Sequence, residues 1–362
     1  MQPLPTSASI SAGMKTPRIS VVIPVYNGGK YLAQALDSLL CQSFKDFEVL
    51  CINDCSTDNS ESVLKQYAQK DSRIRVLTTD TNQGIVPKVL KNYALPNLRG
   101  EYYAYSSQDD FYSEDWLEKM WRKAKETDAD AVLPDLVFYH EHDPLKNRSL
   151  IGVYGNRDVM LTNREAVILS LDWIIPGNAL WKVSLIKKLG YADFGMFADE
   201  YSARVFFYHC NKVVFSGGTF YYGQDNLGAI TKQPGYKRFD SPYNHFRLFQ
   251  FLKENSFDPE IYTRQLMKAV RDLLQKKQEL ILNKTHYSSD HLKEAESRIQ
   301  KCYEAITKCD ASVKTLKQQT HSKYAHKVFV LTHGYQFFGA YYNFIALMRR
   351  FRRLVSLRFG RK

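Results

Sequence analysis

Short runs of β-branched residues alternate with amphipathic stretches from residue 18 onward, and this alternation constrains the fold more than any other feature of the sequence. Strand patterns occur at 19–26, 47–54, 74–79, 101–106 and 131–138, and helix patterns at 30–40, 60–69, 85–95 and 114–125. Apolar strands joined by helices predict an α/β fold whose mostly parallel, twisted sheet is covered on both faces. Ligand sites of such sheets lie beyond the carboxyl ends of the strands, which directs attention to the loops that follow them.

The second half of the chain follows a looser pattern. Helix patterns at 165–171 and 182–189 and strand patterns at 212–215 and 219–223 predict an antiparallel or mixed addition to the sheet, and 239–318 is predicted to form two or three helices. The chain therefore divides into four predicted parts: a flexible N-terminal segment 1–17, an α/β domain 18–235, a helical region 236–320 and a basic, aromatic tail 321–362.

Positive charge is concentrated in that tail. The chain has 50 Lys and Arg against 38 Asp and Glu, yet residues 311–362 contain eleven basic residues and no acidic one. Residues 328–348 are uncharged, but polar and aromatic residues interrupt the apolar run, which favours a segment lying on an anionic membrane over one that spans it. A core helix of the helical region is the alternative, and no nucleic-acid-binding motif accompanies the arginines.

Two further features bear on the compartment. The six cysteines are sparse in a long chain, which is typical of free thiols in a reducing environment. The segment 1–17 is rich in Ser, Pro and Thr and lacks the apolar run of a secretory signal. We therefore expect a cytoplasmic protein, peripheral to the inner face of the cytoplasmic membrane.

The loops after the first two strands carry polar and aromatic side chains suited to a nucleotide. The first combines Pro24, Tyr26 and Asn27 with two glycines, and it lacks the G-x-G-x-x-G pattern of dinucleotide-binding folds. In the second, Asp54 could accept hydrogen bonds from a base or a ribose, and Ser56, Thr57 or Asp58 could cap the next helix. An ordinary strand-to-helix turn remains the alternative for the first loop.

Two pairs of acidic residues could carry chemistry. Asp109 and Asp110 follow the fourth strand, where paired carboxylates suit Mg²⁺ or Mn²⁺ with a diphosphate, although acids at a helix start also occur for dipole reasons alone. Asp199 and Glu200 begin a predicted helix, where a carboxylate could deprotonate a hydroxyl or could only stabilise the helix.

Taken together, these motifs and their order resemble the family 2 glycosyltransferases, which have the GT-A fold. The resemblance covers about 17–231 and rests on ISVVIPVYN at 19–27, SLLCQ at 38–42 before EVL at 48–50, INDCSTD at 52–58, NQG at 82–84 and GEYY at 100–103. The chain departs from the family pattern at three places. Asn53 and Cys55 replace Asp and Gly in the second loop, Ser107 replaces the first Asp of D-x-D, and Gln224-Asp225-Asn226 lacks the basic residue expected before the late motif at 228–231.

The resemblance implies roles for individual residues. Pro24, Tyr26, Asn27, Asp54, Asn82, Lys88 and Asp109 would bind the nucleotide, and Asp109 and Asp110 would hold Mn²⁺ or Mg²⁺. Asp199 would be the catalytic base, with Glu200 as the alternative. Asn178 and Trp181 would line the acceptor site, where Trp181 could stack on a sugar ring or could equally be a core residue.

The implied activity is an inverting hexosyl or N-acetylhexosaminyl transfer, from a UDP-sugar or another nucleotide-diphosphate sugar to a hydroxyl of a glycan or lipid-linked acceptor. Bacterial lipooligosaccharide, lipopolysaccharide or capsule synthesis is the expected setting. A catalytically decayed GT-A domain that binds glycans or acts as a scaffold is the first alternative. A sugar-nucleotide pyrophosphorylase is the second, but it would open with a Gly-rich loop bearing Arg or Lys, unlike residues 24–29.

Overall fold

The protein divides into two compact units. The computed structural model describes residues 16–229, 232–233, 235–319, 325–341, 344 and 348. The first unit runs to residue 192 and includes 202–226, and the second comprises 193–201 together with the chain from 227 onward. The sequence placed the boundary at 235 and did not separate 193–201. Most of the predicted segment 1–17, the Ile230 and Thr231 part of the late motif and the arginine-rich end from 349 lie outside the described residues.

A nine-stranded mixed sheet forms the centre of the first unit, as the α/β GT-A prediction requires. Its strands are β1 (Ile19–Val25), β2 (Phe47–Asn53), β3 (Ile74–Thr78), β4 (Tyr102–Tyr105), β5 (Phe111–Tyr112), β6 (Ala131–Tyr139), β7 (Arg148–Leu150), β8 (Leu180–Lys182) and β9 (Val213–Gly223). The order is β3-β2-β1-β4-β8-β6-β9-β5, with β7 beside β6. β1 pairs in parallel with β2 and β4, and β2 pairs in parallel with β3, so the carboxyl ends of these four strands share one edge.

Helices flank this sheet. They are α1 (Leu32–Leu40), α2 (Ser60–Lys70), α3 (Val86–Val89), α4 (Leu95–Asn97), α5 (Trp116–Thr127), α6 (Asn163–Leu171), α7 (Val183–Leu189) and α8 (Ala198–Tyr208). Every residue of β1 and β2 is buried, which explains their continuous apolar patterns. Leu32, Leu36 and Leu39 of α1 recur at helical spacing and pack into the same apolar core.

A polar network links the amino-terminal ends of four strands, on the side of the sheet opposite their carboxyl ends. The Ser20 hydroxyl donates to Glu48 Oε1 at 2.7 Å, and the Arg75 guanidinium contacts Glu48 Oε2 at 2.6 Å. The Gly100 amide donates to the Ser20 hydroxyl at 2.8 Å, and a Cβ at Gly100 would lie only 2.6 Å from the Ser20 nitrogen. The network therefore joins the beginnings of β1, β2, β3 and β4, and it explains why glycine precedes β4.

Two of the predicted elements take a different form in the structure. The helix predicted at 85–95 consists of α3 and α4 separated by a π-helical turn, Leu90–Ala94, and Pro96, which has no amide hydrogen to donate, lies just after that turn. The strands predicted at 212–215 and 219–223 are one strand, β9, with a register shift opposite Leu133 and Asp135. Residue 218 of this strand is glycine because a Cβ there would lie only 2.8 Å from the Trp116 Cα of α5.

The second unit is helical. Its helices are α9 (Ser241–Glu254), α10 (Pro259–Leu282), α11 (Ser289–Lys308), α12 (Asp310–Lys317) and α13 (Ala325–Thr332), and residues 335–341 are also helical. An apolar core of its own includes Leu266, Leu273, Ile299 and Phe338. No helix in the described part of the chain has both the length and the apolar composition needed to cross a bilayer.

Candidate active site

The loops after β1, β2, β3 and β4 meet at one edge of the first unit, because these strands are parallel neighbours. They carry most of the residues predicted for nucleotide binding. The loops are tied together by side-chain hydrogen bonds between segments that are distant in the sequence.

Gln108 joins the loop after β4 to the loop after β1. Its Oε1 accepts from the Tyr26 amide at 2.9 Å, and its Nε2 donates to the Tyr26 carbonyl at 3.1 Å. A Cβ at Gly28 would lie 2.2 Å from Gln108 Oε1, so glycine allows this close approach. The Tyr26 side chain is 50% exposed beside these two hydrogen bonds and is available to a ligand. No local sequence pattern predicts this role of Gln108.

The loop after β2 holds the other side of the first loop. Asn27 has a positive φ of 50°, and its Oδ1 accepts from the Thr57 amide at 2.8 Å. The Gly28 amide donates to the Ser60 hydroxyl at 2.9 Å, and the Gly29 amide donates to Asp58 Oδ2 at 3.0 Å. Burial raises the pKa of Asp58, but hydrogen bonds from Ser60 and Gly29 outweigh it and lower that pKa below its usual value.

Asp54 is buried and already oriented. Its Oδ1 accepts from the Thr79 hydroxyl at 2.9 Å and from the Gln83 amide at 2.8 Å, and its backbone carbonyl accepts from the Asn82 side chain at 2.8 Å. The segments after β2 and β3 thus meet at Asp54. The next residue, Cys55, adopts a φ of 56°, the left-handed conformation that favours the glycine found in the family pattern.

Asp109 and Asp110 have different environments although they are adjacent. Asp110 is 2% exposed, and its two oxygens accept from the backbone amides of Ser107 and Gly223, each at 3.1 Å. Burial raises the pKa of Asp110 well above its usual range, and the charge of Asp109 adds to this. Asp109 is half-buried, and its Oδ2 accepts from the Asn226 side chain at 2.7 Å. Asn226 is a second residue that the sequence analysis did not assign to the site.

The fit of this pair to a divalent cation follows from those contacts. Within the described residues, no group of three or more His, Cys, Asp or Glu side chains could hold a metal. Mg²⁺ can bind through one or two carboxylates completed by substrate phosphates and water. Asp109 fits that arrangement as a single protein carboxylate, whereas both oxygens of Asp110 are engaged by backbone amides.

The remaining predicted residues differ in accessibility. Asn82 and Lys88 are exposed, Lys88 on the short helix α3, and Asn178 is half-buried. Trp181 is 2% exposed and packs against Phe206 and Phe207, with ring centroids 5.5 and 4.9 Å apart. The stacking role predicted for Trp181 is therefore wrong, because neither face of its ring is open to a sugar, and the core alternative holds.

Asp199 and Glu200 lie in the first turn of α8, in the segment 193–201 that groups with the second unit. Both are half-buried. The Ala198 amide donates to the Gly195 carbonyl at 3.2 Å, so the turn at Gly195 begins the helix that carries both carboxylates.

Comparison with known proteins identifies the chain. Residues 20–190 match the sequence profile of Glycosyl transferase family 2. Residues 20–190 are a family 2 glycosyltransferase domain. The matched region contains the nucleotide loops and the Asp109 and Asp110 pair, whereas Asp199, Glu200 and Asn226 lie beyond it.

Relatives of this glycosyltransferase occur in several bacteria. Glycosyltransferase GlyG of Streptococcus pneumoniae serotype 4 is 28% identical over 232 residues, which cover 59% of this chain and 73% of GlyG. The poly(ribitol-phosphate) beta-glucosyltransferase of Bacillus spizizenii is 35% identical over 173 residues, 47% of this chain and 26% of that protein. The chain therefore spans most of the first relative and about a quarter of the second.

The fold of this glycosyltransferase is also found among solved structures. S. aureus TarS 1–349, crystallised in complex with UDP-GlcNAc, superposes with a TM-score of 0.60 over 88% of this chain and 91% of the TarS chain, at 16% identity. This match confirms the GT-A fold class.

Proposed function

We propose that this glycosyltransferase transfers a sugar from a UDP-sugar to a hydroxyl of a bacterial surface glycan, with inversion at the anomeric carbon. The observation that carries the proposal is the pre-oriented Asp54 carboxylate at the edge where four loops meet, beside the exposed Tyr26 ring. The UDP-GlcNAc held by TarS supports the donor class. The named activity of the Bacillus spizizenii relative supports a surface polymer such as teichoic acid, capsule or lipooligosaccharide as the acceptor.

In this proposal the first unit binds the donor. Asp54 accepts hydrogen bonds from the base or ribose, Tyr26 lies against the base, and Asn82 and Lys88 border the nucleotide. Asp109 would hold Mn²⁺ or Mg²⁺, which would supply positive charge for the departing diphosphate. Asp110 holds the Asp109 loop because its carboxylate accepts from the backbone amides of Ser107 and Gly223.

The second part of the proposal concerns proton transfer. Asp199, with Glu200 as the alternative, takes the proton from the acceptor hydroxyl, and the oxygen then attacks the anomeric carbon as its bond to the diphosphate breaks. Asp199→Asn should therefore abolish transfer while UDP affinity stays at the wild-type level. If Glu200→Gln has this effect instead, Glu200 is the base.

Calorimetric titration with UDP, GDP and CMP, each with and without Mn²⁺, tests the donor site. We expect UDP to bind more tightly with Mn²⁺, and Asp54→Asn to weaken binding about tenfold or more, the loss expected for a charge-assisted hydrogen bond. Asp71→Asn is the matched control, because Asp71 lies before β3 and pairs with Arg73. Failure of all three nucleotides to bind would refute the proposal and favour the decayed, glycan-binding or scaffold alternative.

The two acids of the metal motif can be separated in the same titration. Asp109→Asn should remove the effect of Mn²⁺ on UDP affinity, because Asp109 is the carboxylate available to an ion. Asp110→Asn should lower the thermal stability of the first unit, because an amide nitrogen would face a backbone amide, and should keep some Mn²⁺ dependence. Loss of the Mn²⁺ effect only in Asp110→Asn would reverse this assignment.

We further propose that the C-terminal region docks on the cytoplasmic face of an anionic membrane. Phe329 is 50% and Phe344 60% exposed, and Phe329 and Phe337 contact each other with centroids 6.0 Å apart. Val328, Leu331 and Phe338 are instead buried in the helical core, so the region packs on the protein through one set of side chains and exposes aromatic rings through another. Seven basic residues and no acidic one follow in 349–362, which suits anionic lipids.

Flotation with vesicles tests the docking. The full chain should bind vesicles containing phosphatidylglycerol and should not bind pure phosphatidylcholine, and Phe329→Ser with Phe344→Ser should weaken binding. Leu145→Ser is the matched control, because Leu145 is a 98% exposed apolar residue of the first unit. Equal binding by both variants and the wild type would refute the aromatic contribution.

A further inference from the structure

The segment 193–201 is held by side chains of the helical region. The Asp240 Oδ2 accepts from the Met196 amide at 3.0 Å, and the other oxygen of the same carboxylate is bound by the Arg298 guanidinium. Asp240 is 7% exposed, so this charge is buried and depends on a close partner. Arg298 in turn lies over the Tyr236 ring at 5.0 Å, which fixes the direction of its guanidinium.

Close packing at Gly195 shows how tightly the carboxylate meets the backbone. A Cβ at this position would lie 2.8 Å from both the Cγ and the Oδ2 of Asp240. The Gly195 carbonyl accepts from the Ala198 amide, the bond that begins α8. Asp240 therefore holds the turn three residues before the helix that bears Asp199 and Glu200.

Aromatic and cationic side chains hold the two ends of the segment. Phe194 packs against Tyr243 with centroids 5.6 Å apart, and Tyr201 packs against Phe251 at 6.0 Å. The Arg247 guanidinium lies over both Phe194 and Tyr201, at 5.0 and 5.6 Å. A cavity of about 270 Å³ is bordered by Phe194, Asp240 and Arg298. Beside it, the Asp240 carboxylate binds the Met196 amide.

We infer that the Asp240 and Arg298 pair positions the turn that presents the catalytic base, and that the helical region thereby takes part in catalysis. This inference rests on the proposed function, in which Asp199 or Glu200 accepts the proton. Asp240 and Arg298 are positioning residues, because they act on the base through the backbone of Gly195 and Met196. Displacement of the base lowers the reaction rate, and a shift of about 1 Å can lower it about 100-fold.

The test uses Gly195→Ala and Arg298→Ala in the full chain, with Gly235→Ala as the matched control. Gly235 has a φ of −142° and no atom within 4 Å of an added Cβ. Release of UDP from UDP-N-acetylglucosamine, with water as acceptor, gives kcat and KM, and calorimetry gives the UDP affinity. We expect kcat to fall about 100-fold in both variants, with KM and UDP affinity close to wild type, and partial recovery of kcat in Arg298→Lys. A merely structural role would not separate kcat from KM in this way.

Hydrogen exchange at the Met196 amide makes the test independent of activity. It should be faster in Arg298→Ala than in the wild type and the Gly235→Ala control, because Asp240 loses the partner that orients it. Wild-type kcat in both variants, or unchanged Met196 exchange in Arg298→Ala, would overturn the inference. If the wild type neither binds UDP nor releases it, the proposed function fails, and the exchange measurement still decides whether the pair holds the turn.

Discussion

Replacement of Cys55 tests the strain that the nucleotide loop carries. Cys55 has a φ of 56°, and its thiol donates to the Thr79 carbonyl at 3.2 Å. Cys55→Ala and Cys55→Gly both lose the thiol, so the difference between them isolates the backbone. A residue with a Cβ costs about 1 to 2 kcal/mol in the left-handed region, and the greater freedom of glycine in the unfolded chain offsets part of this. We expect Cys55→Gly to be more stable than Cys55→Ala by about 1 kcal/mol.

Cys41 provides the matched control. It is exposed at the end of α1 with a φ of −76°, where alanine is favoured over glycine by about 0.5 to 1 kcal/mol. Glycine should therefore be the more stable replacement at Cys55, and alanine the more stable replacement at Cys41. Urea unfolding followed by tryptophan fluorescence measures this, because all four tryptophans lie in the first unit. If alanine is the more stable replacement at both positions, the left-handed conformation of Cys55 does not strain the loop.

Three other changes probe the first unit. Gln108→Ala removes two hydrogen bonds to Tyr26, together worth about 1 to 3 kcal/mol. Calorimetry should show UDP binding weakened about tenfold. Gln83→Ala is the control, because its side chain bonds only locally to Thr81, and it should leave UDP binding unchanged. Trp181→Ala should cost about 3 to 5 kcal/mol in urea unfolding, and a much smaller loss would contradict its core position. Because its folded-state pKa is lowered, Asp58 stabilises the fold above the unfolded value near pH 4 and loses this effect as pH falls through the folded pKa. The difference in unfolding free energy between wild type and Asp58→Asn should therefore be larger at pH 7 than at pH 3.

The sheet was largely predictable because burial and pattern coincide in its central strands. β1 and β2 are buried at all seven positions each, so their apolar runs carry an unambiguous signal. β8 is three residues long and lies between β4 and β6, and so short a strand has no periodicity of its own. The segment from Leu180 to Lys182 was therefore not recognised as part of the sheet.

The candidate site was predictable only as far as topology places it. Asp54 and Asp109 follow parallel strands, so their shared edge could be inferred from order alone. The contacts of Gln108 with Tyr26 and of Asn226 with Asp109 join residues 82 and 117 positions apart, and no local pattern contains such pairs. The sequence left the choice between a stacking and a core role for Trp181 open for the same reason, because the rings that bury it come from α8.

The polar network of Ser20, Glu48, Arg75 and Gly100 has a consequence for how such enzymes diversify. It sets the register of four strands from the edge remote from the candidate site, without using any loop residue of that site. A change in a loop, such as Cys55 in place of Gly, therefore does not alter the contacts that align the strands. We therefore expect that loops from relatives with other donors can be grafted onto this sheet, provided that the Glu48 network is kept.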